Sequence, residues 1–127
     1  MTSTLDVGKK LVELCRQGKA LEAMNTLYSD DVVSIEAQGN EAMPARMQGL
    51  VAIKGKGEWW EKNHEVHRAE AQGPWPHNDR FIVHFSYDAT PKIGLMAGKM
   101  MSIEEAALYT VKDSKIAQEE FFYNMGG

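Results

Sequence analysis

Helical periodicity in the first half of the chain and period-two alternation in the second predict an α+β domain with an antiparallel sheet. Three observations carry this reading. Val7, Leu11, Leu14 and Cys15 recur at helical spacing on one face. From His64 onward the period changes to two. Within that half, Phe81, Val83, Phe85 and Tyr87 share one face of a strong strand, with Ile82, His84, Ser86 and Asp88 on the other. The length of 127 residues suits one domain, 1–127, and leaves no room for two ordinary ones.

The elements follow in order. Ser3 or Thr4 caps a first helix, Asp6 lies in its first turn, and Gly18 stops it. Leu21, Met24, Leu27 and Tyr28 line one face of a short second helix, ended by Ser29-Asp30-Asp31. The β-branched run Val32–Ala37 is a strand, and residues 38–49, with Gly39, Pro44 and Gly49, form a loop. Ala52–Asn63 is a third helix with Ile53 and Trp60 turned inward, weakened by Gly55 and Gly57. Four strands by hairpin complete the chain. Gly73–Asp79 is a turn, Thr90–Gly98 a loop, Met100–Lys112 a long strand, Asp113-Ser114 a tight turn and Lys115–Asn124 the last strand.

The composition is 43% hydrophobic and 25% charged, an ordinary globular balance that needs no metal or disulfide staple. The net charge of -4 is spread along the chain, and no basic stripe exists to neutralise phosphates, so nucleic acid is not the expected partner. No apolar run approaches the roughly 20 residues that span a bilayer. The N-terminus lacks the apolar core of a signal peptide. A single cysteine, Cys15, forms no internal disulfide. A cytoplasmic location is the expectation.

Two carboxylates stand out. Glu36 closes a strand otherwise made of Val and Ile, and a carboxylate in a partly apolar site suits general-base or general-acid work. The bland alternative is an outward-facing glutamate at a strand end. Glu105 interrupts the apolar parity of Met101, Ile103, Ala107, Tyr109 and Val111. Such a residue is costly unless paired or protonated, and a one-residue bulge would exchange it with Glu104.

The string His64-Glu65-Val66-His67 is one residue short of the zinc helix motif His-Glu-x-x-His and has no third ligand nearby, so a metal is not expected. His64 as a pocket donor or proton shuttle is the better reading. Lys54-Gly55-Lys56-Gly57 lacks the spacing of a phosphate loop, and no Gly-x-Ser-x-Gly elbow occurs. Cys15 reads as an inert core thiol. The eight methionines, including Met96, Met100 and Met101 around the last loop, together with Trp60, Tyr109 and Tyr123, are either core or the wall of an apolar pocket.

Three segments in sequence order carry a resemblance: Leu27–Val33, Gly49–Gly55 leading into Glu58-Trp59-Trp60, and Tyr109–Ile116 followed by Glu119–Tyr123. Over nearly the whole chain the sequence resembles the SnoaL-like branch of the nuclear transport factor 2-like superfamily, which includes ketosteroid isomerase, scytalone dehydratase and polyketide cyclases. The resemblance implies a curved antiparallel sheet wrapped around three helices, a cystatin-like cone with an internal pocket, and homodimers through the sheet. It implies that the isomerase's general-base aspartate falls on Glu36. The isomerase's oxyanion tyrosine falls near Leu11, which donates no hydrogen bond. Its protonated aspartate falls near Ala107, two residues past Glu105, which could replace it from the same strand face. Paired histidines and tyrosines of the dehydratase type are not evident, although His64 or His84 with Tyr123 would supply pieces. Three functions follow: a cofactor-independent isomerase, lyase or cyclase using Glu36, Glu105 and His64 on a carbonyl compound, in a substrate pocket of Trp60, Tyr123, Met101 and Tyr109; a binder of a small apolar metabolite in a pocket formed by the methionines, Trp60 and the Phe81–Tyr87 face; or a dimeric assembly domain.

Overall fold

The computed structural model describes residues 3–39, 41 and 43–123. Its elements are α1 (Thr4–Arg16), α2 (Ala20–Leu27), β1 (Tyr28–Ile35), β2 (Arg46–Gln48), α3 (Leu50–Asn63), β3 (His64–His77), β4 (Arg80–Pro91), β5 (Met101–Lys112) and β6 (Lys115–Phe122). The six strands form one curved, unclosed sheet in the order β2-β1-β6-β5-β4-β3, with three helices against its concave face. The α+β class and the sheet wrapped around helices match the expectation. Among the described residues, no helix is long and apolar enough to cross a membrane.

Helix α1 begins where Ser3 Oγ accepts from the Asp6 amide at 3.1 Å and ends where the amide of Gly18, at φ 72°, meets the Cys15 carbonyl at 3.1 Å. Its buried side, Val7, Gly8, Leu11, Val12 and Leu14, packs on β3 and β4. Arg16 Nε, donating to the Ala71 carbonyl at 2.8 Å, ties its end to β3. The core continues through Ile53 of α3, Val32 of β1, Phe81 and Val83 of β4 and Ile116 of β6.

Four local expectations are corrected. Tyr28, Asp30 and Asp31 belong to β1 rather than to a helix end and turn, so Tyr28 is buried in the sheet. The loop after β1 contains the short strand β2, antiparallel to β1. Residues 73–77 continue β3, and the turn shrinks to Asn78-Asp79. Pro74 and Pro76 are tolerated there because β3 is an edge strand, where a missing amide donor breaks no ladder bond. The register shift between Gln72 and Trp75, with Gly73 at φ 123°, absorbs the kink. Finally, β1 joins β6 in parallel, so the sheet is mixed rather than wholly antiparallel. Strand β6 is described to Phe122, and the proposed extension to Asn124 lies outside the described residues.

Candidate functional site

Alternation along β1 turns Val32, Ser34 and then Glu36, one residue past the strand, toward the concave side. The Glu36 amide donates to the Ala45 carbonyl at 2.8 Å, which fixes the backbone there. Opposite lies α3, whose residues Ile53, Lys56 and Trp60 fall at helical spacing on the stripe facing the sheet. From β6 come Glu119 and Phe121, and Tyr123 follows the strand end on the same parity.

These side chains form one continuous hydrogen-bonded chain. Tyr28 donates its hydroxyl to Glu119 Oε1. Ser34 Oγ donates to Glu119 Oε2 at 2.8 Å and accepts from Lys56 Nζ at 2.8 Å. Lys56 Nζ also reaches Glu36 Oε1 at 2.8 Å, and Tyr123 Oη donates to Glu36 Oε2 at 2.9 Å. The ammonium lies 5.7 Å from the centre of the Phe121 ring. The network runs from deep core, where Glu119 is buried, to the accessible end, where the side chains of Lys56 and Glu36 keep 15% and 24% exposure.

Glu105 stands on the neighbouring strand of the same face. The β4–β5 register runs unbroken, setting Glu105 opposite Phe85 and Glu104 opposite Ser86. This resolves the choice between the two glutamates: Glu105 faces inward and Glu104 is exposed. Tyr87 donates its hydroxyl to Glu105 Oε1 at 3.0 Å. Burial pushes the Glu105 carboxyl up to about 7, opposed by the Tyr87 hydrogen bond and reinforced by the charges of Glu36 and Glu119. Burial also raises the Glu119 carboxyl, against the hydrogen bonds of Tyr28 and Ser34. The Tyr123 hydroxyl is raised by burial and then by Glu36.

Of the residues singled out in the sequence, Glu36 and Tyr123 meet directly, and Glu105 is coupled to both through charge. His64 has other partners. Its ring stacks on Trp60 at 4.4 Å between centroids, and its Nδ1 lies 2.8 Å from the Trp60 carbonyl oxygen. Trp60 in turn lies 5.9 Å from the Tyr87 ring, so His64 reaches Glu105 only through an aromatic wall. Met101 sits at the far end of β5, paired with Ala89, and is half-buried. Tyr109 packs in the core, 2% exposed and stacked on Phe81 at 5.0 Å, because the helices cover the sheet there. His67 bonds Thr90 Oγ1 at 2.7 Å, apart from the partners of His64. Burial, aided by the Glu119 charge, pushes the Cys15 thiol up to about 12, which leaves it a poor nucleophile.

Sequence reasoning missed Lys56, Ser34, Glu119 and the roles of Tyr28 and Tyr87. The Ile53–Lys56–Trp60 stripe was the available signal for Lys56, and the shared parity of Val32, Ser34 and Glu36 for Ser34. A cleft of about 330 Å³ where β6 ends is lined by His84, Glu104, Ala106 and Phe122, with Glu105 and Tyr123 at its border; it opens on the side of the sheet that Glu104 faces, and neither Glu36 nor Lys56 lines it. Leu11 and Ala107, near which the resemblance puts the isomerase's oxyanion donors, are buried in the apolar core.

With its sheet curved over three helices, the chain belongs to the SnoaL-like domain family, whose profile matches residues 2–123. It is similar in structure to a Mesorhizobium loti protein provisionally named a SnoaL-like polyketide cyclase and carbohydrate phosphatase. That likeness has 36% identity and a TM-score of 0.85, over 93% of this chain and 97% of the other. A Catenulispora acidiphila protein with a ketosteroid isomerase-like fold, solved with trimethylamine, shares 18% identity at a TM-score of 0.71, over 94% and 86%. A Burkholderia thailandensis NTF2-like protein shares 14% identity at 0.80, over 98% and 92%. No curated protein matches the chain.

Proposed function

We propose that this protein is a cofactor-independent acid–base enzyme of the isomerase, lyase or cyclase type, acting on a carbonyl-containing apolar substrate with Glu36 as its proton carrier. The observation that carries the reading is the setting of the Glu36 carboxylate. One oxygen is held by Lys56 and the other by Tyr123, with Glu105, a carboxyl that titrates at about 7, on the same face. A held carboxylate removes a proton from carbon without first reorganising its surroundings. A second carboxyl, protonated over much of the range below neutrality, supplies the complementary acid. The name of the Mesorhizobium loti protein, SnoaL-like polyketide cyclase, favours the same class. Trp60 would contribute apolar wall, with His64 stacked behind its ring.

The test is uptake of deuterium from solvent at the α-carbons of a panel of ketones and β-keto esters, followed by proton NMR. The wild-type protein should accelerate exchange in at least one member. Glu36→Gln should lower that rate by roughly 10²–10⁴-fold, the usual contribution of general-base catalysis. Undiminished exchange in Glu36→Gln, or no acceleration by the wild type, would overturn the reading and leave ligand binding without catalysis.

A homodimer through the convex face of the sheet is also proposed. Trp75, Ile82 and Leu108 form a row across β3, β4 and β5, and Trp75, Ile82 and the nearby Phe122 are 54%, 42% and 50% exposed. An apolar patch of this kind suits a two-fold contact with its own copy. Sedimentation equilibrium should give a dimer that Ile82→Lys with Phe122→Glu converts to monomer. A monomeric wild type would remove the proposal.

A further inference from the structure

We propose that Lys56 is the oxyanion-stabilising group of this site. This rests on the acid–base reading above and extends it to a further residue. Lysine is an unusual occupant of the sheet-facing stripe of a helix, between Ile53 and Trp60. It is held there by Ser34 Oγ and Glu36 Oε1, each at 2.8 Å, which occupy two of its three N–H donors. Ser34 is itself fixed by the buried carboxyl of Glu119, so the ammonium is anchored from behind while its own side chain keeps 15% exposure.

The chemistry follows from adjacency. A carboxylate oxygen and an ammonium in contact present a base and a cation side by side, in the relation of an α-hydrogen to its neighbouring carbonyl oxygen. Glu36 takes the proton, the C–H electron pair becomes the enolate double bond, and the carbonyl π pair moves onto oxygen beside Lys56. Before the step, the cation is paired with Glu36. Afterwards Glu36 is neutral and the cation is paired with the enolate. The charge of the site is unchanged, so no net charge is created in a poorly solvated place. Returning the proton to a different carbon completes an isomerisation. The oxyanion donors absent at Leu11 and Ala107 are thus supplied from α3 instead.

The test uses 4-nitrophenol, which is coloured only as its phenolate and stands in for the enolate. Glu36→Gln reproduces the neutral carboxyl that follows proton transfer. At a pH where the free dye is mostly colourless, wild-type protein should bind the colourless form. Glu36→Gln should bind the coloured form, with an ionised-to-neutral ratio raised at least about tenfold, equivalent to one pKa unit. Adding Lys56→Met should return the ratio to that of free dye, and Lys56→Arg should preserve it. Circular dichroism checks folding, and Lys56→Gln replaces Lys56→Met should the latter unfold. A ratio indifferent to Lys56, or no dye bound by any variant, overturns the proposal. Loss of deuterium exchange activity with a retained Lys56-dependent colour shift would overturn only the acid–base reading. Active exchange with no such shift would overturn only the role of Lys56.

Discussion

Glu36 and Lys56 meet at 2.8 Å across 20 residues of chain, one from a strand end and the other from the middle of a helix. Both are largely buried, so neither charge is fully compensated by water when the other is removed. Glu36→Gln and Lys56→Met should each lower the unfolding free energy by about 1–3 kcal/mol, while the double variant recovers part of that loss. Urea denaturation of the four proteins measures the coupling. A coupling below about 0.5 kcal/mol would class the pair with ordinary surface ion pairs.

Much of this site was legible because its groups break local patterns. Glu36 ends an apolar strand, and Glu105 interrupts an apolar parity. Lys56 was hidden by its neighbours, since Gly55 and Gly57 made the helix look weak and lysine on a helix ordinarily faces water. The partnership of Ser34 with Glu119 spans 85 residues, and no local pattern encodes it. It exists because β6 returns beside β1 in parallel, a pairing that hairpin logic does not anticipate. The prolines of β3 misled for a related reason: whether proline ends a strand depends on the strand being central, which is a property of the assembled sheet.

The buried end of the network gives a second prediction. Tyr28 and Ser34 are the two side-chain donors to the Glu119 carboxyl. Tyr28→Phe removes one donor and leaves a buried oxygen without it, at a cost of about 1–3 kcal/mol. Glu119 is already raised by burial, and losing a donor raises it further. A raised carboxyl contributes stability at low pH that is lost as pH rises through its folded pKa. The deficit of Tyr28→Phe should therefore be larger above the folded pKa of Glu119 than at low pH, where Glu119 is protonated in both states, and urea midpoints followed across the pH range check it.

Two helical glycines should respond in opposite senses to alanine. A Cβ at Gly55 meets nothing within 4 Å, so Gly55→Ala should stabilise the protein by about 0.5–1 kcal/mol through helix propensity. A Cβ at Gly8 would lie 2.8 and 2.9 Å from Pro74 Cβ and Cγ and 3.2 Å from Phe81 Cδ2. Those atoms belong to a proline ring on β3 and a fully buried phenylalanine, which yield little. Overpacking of about 1–3 kcal/mol should outweigh the propensity gain of about 1 kcal/mol, so Gly8→Ala should be destabilising. A thermal midpoint raised by Gly8→Ala would show that α1 does not press on β3 as closely as described, and one lowered by Gly55→Ala would overturn the propensity argument.

Glu105 makes the pH dependence specific. Its folded carboxyl is raised to about 7 from an ordinary 4.5, chiefly by burial. In the window between those values the unfolded chain has released a proton that the folded chain retains, so stability falls as pH rises and levels off above about 7. Glu105→Gln keeps an oxygen to accept from Tyr87 and removes the titration. The variant should match wild type near pH 4 and exceed it at pH 8 by an amount on the order of 1–3 kcal/mol. Urea unfolding across this range should show a difference that grows with pH and then becomes flat. A difference independent of pH would place the Glu105 carboxyl in water and remove it as the acid of the proposed reaction. A difference that grows as predicted, combined with a deuterium exchange rate that loses its limb near pH 7 in Glu105→Gln, would assign that titration to the working site.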